Sequence, residues 1–351
     1  MSSVQEEDIV IIGAGPCGLS AAAELQDQGF DPLVIEKENV VNSIASYPTY
    51  LEFFSTPEML EIANIPFVSP HEKPNRLEAL NYYRTVAERK KLRIRRYEEA
   101  TAIVPEGKGF RIESTTKYGG ERLVTHARVV VVATGYFDHP NRLGIPGEHL
   151  PHVTHFFKEA HPYAGTKVVI IGGSNSAVDA ALELMRVGAS VTVVYRGESV
   201  SDNIKPWVKP IFESFVAKGR IDLRLRSRVV AIEPARVTVR TNDEAGSDGA
   251  ARTDSAAREK VEADFVLALT GFRPNRAFLR AIGVEAPEGN VPPTHDEVTM
   301  ETNVPGLYLA GVVATGRDAN EIFIESGRNH GKKIAAHLAS LRDSATAFSS
   351  D

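Results

Sequence analysis

Two stretches of this chain repeat one pattern, and the repeat restricts the fold more than any other feature. Asp8-Ile-Val-Ile-Ile-Gly-Ala-Gly-Pro-Cys-Gly-Leu19 passes from a short apolar run through a glycine-rich turn into an Ala-rich segment. Val168-Val-Ile-Ile-Gly-Gly-Ser-Asn-Ser-Ala-Val-Asp179 does the same. Each reads as a buried parallel strand, a tight turn and the start of a helix. In the first, Gly13, Gly15 and Gly18 match G-x-G-x-x-G, with Pro16 and Cys17 in the last gap. The first glycine permits the turn, the second lets a pyrophosphate approach the backbone, and the third lets helix and strand pack closely. The helix N-terminus then offers N–H groups and positive dipole to phosphate. Glu36 ends the next strand (residues 32–35), 23 residues beyond Gly13, where a ribose-binding carboxylate is expected. This context makes the first turn a dinucleotide site.

The second turn differs in informative ways. Gly172, Ser174 and Ala177 occupy the three slots. Ser174 puts a side chain where glycine is usual, Gly173 beside it is available for the close approach, and Ala177 is an accepted substitute. Asn175 and Ser176 open the helix, which runs to about residue 187. The following strand (residues 190–195) ends in Arg196, so the acid of the first repeat has become a base. A carboxylate accepts from ribose hydroxyls and repels a 2′-phosphate, whereas an arginine attracts one. The first site therefore reads as FAD and the second as NADPH. Arginine can also stack flat on adenine, which would suit NADH, and Lys205 and Lys209 read equally as helpers of Arg196 or as solvated surface.

Other segments fit this frame. The loop after Glu36 carries Lys37, Ser43 and Ser46, whose side chains read either as cofactor contacts or as plain connection. Phe53, Phe54 and Phe67 read as core first and as pocket wall second. Residues 76–90 have helical spacing; the basic run 89–96 continues into a strand. Strands are expected over 110–115, 121–125 and 129–135, the last ending in Ala-Thr134-Gly135, small residues that allow close passage of a ligand. A second such ending is Thr270-Gly271. Residues 242–260 read as a solvated hairpin insertion. A final strand (304–311) ends at Gly311, and a helix follows to about residue 340. The fold class is α/β: two Rossmann-like dinucleotide-binding domains, with the NADPH domain inserted into the FAD domain. The expected bounds are 1–148, 149–284 and 285–351.

The totals exclude other classes. A net charge of −6 lacks the positive footprint that nucleic acid or an anionic membrane requires. The acidic start has no signal-peptide character, and no apolar run reaches membrane-spanning length. Cys17 is the single cysteine, so no intramolecular disulfide forms, which fits a reducing cytoplasm. No metal site is expected.

The two βαβ units, the two Thr-Gly endings and the late Leu-Tyr-Leu-Ala-Gly311 strand resemble the two-dinucleotide-domain flavoproteins of the thioredoxin reductase size class. The Cys-x-x-Cys pair of thioredoxin reductases is absent. Their late Gly-Asp is Gly311-Val312 here, with Asp318 and Ala319 downstream as replacement contacts to the flavin side chain. Gly15-Pro-Cys-Gly18, Phe54-Ser-Thr-Pro57, Lys205-Pro-Trp-Val208 and Gly316-Arg-Asp-Ala-Asn-Glu-Ile-Phe-Ile-Glu325 are similar to the bacillithiol disulfide reductase (YpdA-type) family. That resemblance implies FAD, NADPH, reduction of a low-molecular-weight thiol disulfide, Cys17 as redox residue, and a homo-oligomer. From residues alone Cys17 stays open: a helix N-terminus favours thiolate, a nearby pyrophosphate opposes it, and the slot demands only a small residue. The alternative function is a thioredoxin-reductase-like ferredoxin–NADP reductase, which needs no thiol.

Overall fold

The computed structural model describes residues 4–241, 258–316 and 321–348. The chain forms two compact units, Met1–His139 with Phe272–Asp351, and Pro140–Gly271.

The first unit begins with β1 (Gln5–Ile12), whose last four residues are buried because both faces of a central parallel strand are covered. It continues through α1 (Pro16–Asp27), β2 (Leu33–Glu36), the short helices α2 (Asn42–Ala45) and α3 (Pro57–Leu60), α4 (Arg76–Arg89) and β3 (Arg93–Arg96). The strands β4 (Glu98–Glu106), β5 (Gly109–Thr116) and β6 (Arg122–Val132) follow. The sheet order is β3-β2-β1-β6-β5-β4. β6 is one strand, where two were expected over 121–125 and 129–135. Its first half (122–127) pairs antiparallel with β5 while residues 125–132 pair parallel with β1, and no glycine or proline interrupts it. A capping box starts α4: Asn75 Oδ1 accepts from Glu78 N–H, and Glu78 Oε2 accepts from Asn75 N–H at 2.8 Å.

The second unit carries β7 (Val153–Thr154), β8 (Lys167–Ile171), α5 (Asn175–Arg186), β9 (Ser190–Val194), α6 (Lys209–Ala217) and β10 (Asp222–Arg224). Then come β11 (Ser227–Glu233), β12 (Arg236–Thr241), β13 (Arg258–Glu262) and β14 (Phe265–Ala268). A five-stranded parallel sheet, β10-β9-β8-β14-β7, repeats the layout around β1, and β11-β12-β13 form a separate antiparallel sheet. The start of β13 holds the last residues of the expected hairpin insertion; residues 242–257 lie outside the described residues.

The chain returns to the first unit through α7 (Arg276–Ile282), β15 (Leu307–Leu309), α8 (Ile324–Gly327) and α9 (His330–Phe348). β15 adds beside β6, and α9 packs on α1. The unit boundaries fall earlier than the expected 148/149 and 284/285. Leu143, Ile145 and Leu150 pack into a core of the second unit, and Ile232 N–H donates to Pro146 O at 2.9 Å. Leu279, Ile282 and Val284 pack into the core of the first.

Tyr83 is fully buried on α4, and its hydroxyl donates to Leu60 O at 2.9 Å at the end of α3. Tyr83→Phe leaves that carbonyl unpaired, and urea denaturation is expected to show a loss of about 1–3 kcal/mol. An unchanged midpoint would contradict this tie between α3 and α4.

Candidate functional site

In the first turn the three glycines do three different jobs. Gly13 has φ +109° and packs on the end of β6: a Cβ there would sit 2.6 Å from Ala133 O. A Cβ on Gly18 would sit 2.0 Å from Gly13 O, so α1 and β1 approach only because both residues lack side chains. Around Gly15, by contrast, a Cβ would meet nothing within 4 Å. Its bareness serves no contact inside the protein, which is what a slot kept clear for phosphate looks like. Pro16 takes the first helical position, where its missing N–H costs nothing.

Glu36 is buried at the end of β2. Its carboxylate accepts from Ala14 N–H (2.7 Å) and Glu38 N–H (2.9 Å). Burial raises its pKa, and the two N–H donors act in the opposite direction. The carboxylate thus locks the turn to the strand end. Lys37 pairs with Asp138 at 2.8 Å. Val41 N–H donates to Ala14 O at 2.9 Å, which holds the next segment against the turn. That segment is helical: Ser43 lies in α2 and Ser46 caps it, with Arg76 donating to Ile44 O (3.1 Å) and Ala45 O. The hydroxyls of Ser43, Ser46 and Thr134 make no hydrogen bond among the described residues and are available to a ligand. Thr134 and Gly135 follow β6 directly and are half-buried.

Cys17 lies in the first turn of α1. The residue is half-buried, yet its sulfur is enclosed by the return segment. A Cβ on Gly311 would lie 2.8 Å from Cys17 Sγ, and one on Gly327 would lie 2.9 Å away. Burial pushes the thiol up to about 12. The helix dipole does not make it a thiolate in this environment. Gly311 N–H donates to His330 Nδ1 at 3.1 Å, so the buried His330 is held with its Nδ1 unprotonated, and burial pulls it down to about 4. Sequence spacing does not single out His330, because one of two histidines in an Ala-rich helix gives no signal. Asp318 and Ala319 lie outside the described residues.

Of the three phenylalanines expected in the core, Phe67 lies in it, Phe53 packs against it and only Phe54 departs. Phe67 is core, stacked on Tyr82 with ring centroids 4.3 Å apart. Phe54 is 62% exposed beneath Lys73. Phe53 joins Tyr47, and Tyr47 meets Phe137 edge-on, which stacks on Phe272. Tyr47, Phe137 and Phe272 come from loops with no periodicity, so sequence patterns could not group them.

In the second unit Gly172 has φ +149°, and a Cβ there would sit 2.4 Å from Leu269 O, as Gly13 does on its own sheet. Ala177 is buried against the turn. Gly173 does not offer an open approach: a Cβ on it would lie 2.4–2.5 Å from three ring atoms of Tyr195. Ser174 precedes α5 as its N-cap residue, and Ser174 and Ser176 are exposed with hydroxyls that make no hydrogen bond among the described residues. Asn175 is spent on the protein, donating to Asn203 O (2.7 Å) and accepting from Lys205 N–H (2.9 Å). Lys205 and Lys209 pair with Asp179 and Asp202. Arg196 is exposed at the end of β9 and has no ion pair or hydrogen bond among the described residues. Gly271 ends the unit, its N-terminal neighbour Thr270 donating through Oγ1 to Asn141 O at 2.6 Å.

A mixed sheet with a clear glycine slot at one helix N-terminus, and a parallel sheet with a free arginine at the matching strand end, define a two-domain oxidoreductase of the thioredoxin-reductase-like fold. The chain belongs to the pyridine nucleotide-disulphide oxidoreductase family, whose model matches residues 10–311. It is 46% identical to the bacilliredoxin reductase Bdr of Bacillus subtilis over 95% of this chain and 98% of that one. The solved bacillithiol disulfide reductase Bdr (YpdA) of Bacillus cereus superposes with a TM-score of 0.90 at 45% identity, covering 96% of this chain and 99% of that one. The enzyme of the same name from Staphylococcus aureus gives 0.88 at 41%, with the same coverage. No helix among the described residues is long and apolar enough to cross a membrane.

Alkylation of Cys17 by iodoacetamide is expected to be slow at pH 7.5 and still accelerating at pH 10, because the reactive thiolate forms only near the raised pKa. Mass spectrometry of the single cysteine gives the rate directly, and a plateau reached by pH 8 would contradict this.

Proposed function

We propose that the protein is an NADPH-dependent FAD enzyme that reduces a low-molecular-weight disulfide: NADPH + H⁺ + RSSR gives NADP⁺ + 2 RSH. Bacillithiol disulfide, for which the two solved relatives are named, is the substrate we assign, and the cytoplasm is the compartment. The observation that carries this is the pair of glycine turns whose strand ends bear opposite charge, buried Glu36 and free Arg196.

The residues fit the two groups. On the first unit, Gly15 leaves room for a pyrophosphate, the N-terminus of α1 faces it, and Glu36 presents oxygen to ribose hydroxyls. FAD bound there supplies a carrier that accepts two electrons from a nicotinamide and passes them to sulfur. Thr134, Gly135, Ser43, Ser46, Lys37 and Gly311 are the further contacts we assign to it, and Gly271 belongs with the nucleotide side of the second unit. There the α5 N-terminus with Ser174, Asn175, Ser176 and Ala177 serves the pyrophosphate, and Arg196 the 2′-phosphate. Arg196→Leu is expected to raise the KM for NADPH about 10- to 100-fold, the worth of one charged hydrogen bond, and to leave the KM for NADH unchanged. Equal effects on both would contradict the 2′-phosphate role.

Cys17 is the redox residue we assign. Its thiol must ionise to attack a disulfide, and the desolvated niche between Gly311 and Gly327 opposes that, so substrate or cofactor has to change the environment of Sγ. That same enclosure favours a second reading, ferredoxin–NADP reduction, in which the thiol takes no part. Cys17→Ala separates them. A relay predicts loss of bacillithiol disulfide turnover by about a hundredfold or more, with NADPH-dependent ferricyanide reduction retained. Full disulfide turnover by the variant removes Cys17 from the mechanism, and rapid reduction of ferredoxin with none of the disulfide supports the second reading.

A further inference from the structure

The two turns differ at one place that neither motif nor cofactor charge explains. Ala14 follows Gly13 in the first, and Ile35 precedes Glu36 on the adjoining strand. In the second, Gly173 follows Gly172, and Tyr195 precedes Arg196. Bulk has moved from the turn to the strand end. The position a Cβ would take on Gly173 is 2.4 Å from Tyr195 Cγ and 2.5 Å from both Cδ atoms, which puts it above the ring face. Gly197 is equally intimate: its Cβ would lie 2.5 Å from Tyr195 Cε1. The ring face thus lies on a backbone shelf at Gly173, and the Cε1 edge meets Gly197; neither residue carries a side chain. The shelf is fastened: Tyr195 N–H donates to Arg224 O (2.9 Å), Ser227 N–H to Tyr195 O (3.0 Å), Arg226 N–H to Gly197 O (2.9 Å) and Ser201 N–H to Gly173 O (2.8 Å). Arg226 adopts φ +49°, a left-handed conformation uncommon for a side-chain-bearing residue, to make that turn. Tyr195 is not fully buried, and its neighbour is the free guanidinium of Arg196.

A core tyrosine would need no such shelf, and a surface tyrosine would not need a bare residue under its face and another at its edge. We infer that Tyr195 is the adenosine-binding residue of the second site, its ring held on Gly173 and Gly197 so that its open surface takes the adenine while Arg196 takes the 2′-phosphate. This rests on the NADPH reading above. Aromatic stacking on a base is tolerant of the hydroxyl but not of the loss of the ring, whereas a mere spacer is tolerant of any side chain of similar bulk.

The test is equilibrium binding of 2′,5′-ADP to the full-length protein by calorimetry, with thermal midpoints recorded alongside. Tyr195→Phe is expected to bind within about twofold of wild type, and Tyr195→Leu about tenfold more weakly at a similar midpoint. Gly173→Ala, whose methyl group must displace the ring, is expected to weaken binding as Tyr195→Leu does and to add little to it in the double variant. Leu binding as well as Phe, or Gly173→Ala binding as wild type, overturns the inference. Wild type that binds 5′-ADP but not 2′,5′-ADP overturns the NADPH reading instead, and the same series run with 5′-ADP still judges the ring. Wild type that binds neither overturns both.

Discussion

The first unit hangs on a buried carboxylate. Glu36 accepts from Ala14 N–H and Glu38 N–H, so one side chain satisfies the turn after β1 and the chain leaving β2. A buried acid that is not fully paired is costly, and here the two donors offset much of that cost. Around this tie, Gly13 seats on Ala133 and Gly18 on Gly13, which brings α1, β1 and β6 into register. Of the three turn glycines, only Gly15 has open space where a side chain would be. The site is therefore a by-product of close packing on every side but one.

The second unit builds the same scaffold without the carboxylate. Gly172 seats on Leu269 as Gly13 seats on Ala133, but the strand end presents an aromatic ring and an unpaired arginine. One repeated layout thus yields two strand ends of opposite charge, and charge is what separates a ribose hydroxyl from a 2′-phosphate. The return segment then does the remaining work on the first unit. Gly311, fixed by His330, and Gly327 close over Cys17 and hold its sulfur out of water. A redox role for that thiol has to begin from a protonated state.

Much of this was legible in the sequence where backbone geometry dictates residue type. The glycine turns, the acid-to-base exchange at Glu36 and Arg196, and the helix over α4 follow from spacing alone. The long β6 was not, because a strand that changes partners along its length shows no break where the pairing changes. The helical Asn42–Ala45 turn hides in a polar run and is too short for a period. The role of Gly173 was misread because a glycine beside a phosphate slot and a glycine beneath a ring look alike in one dimension. The enclosure of Cys17 was invisible for the same reason: Gly311 and Gly327 meet it from the far end of the chain.

The most direct test of the account is flavin content against nucleotide binding in Gly15→Val. The Cβ it adds enters the open space at Gly15, where no atom of the protein lies within 4 Å. The account predicts protein that purifies folded, carries no flavin, and still binds 2′,5′-ADP as wild type does. Retention of one flavin per chain would contradict it.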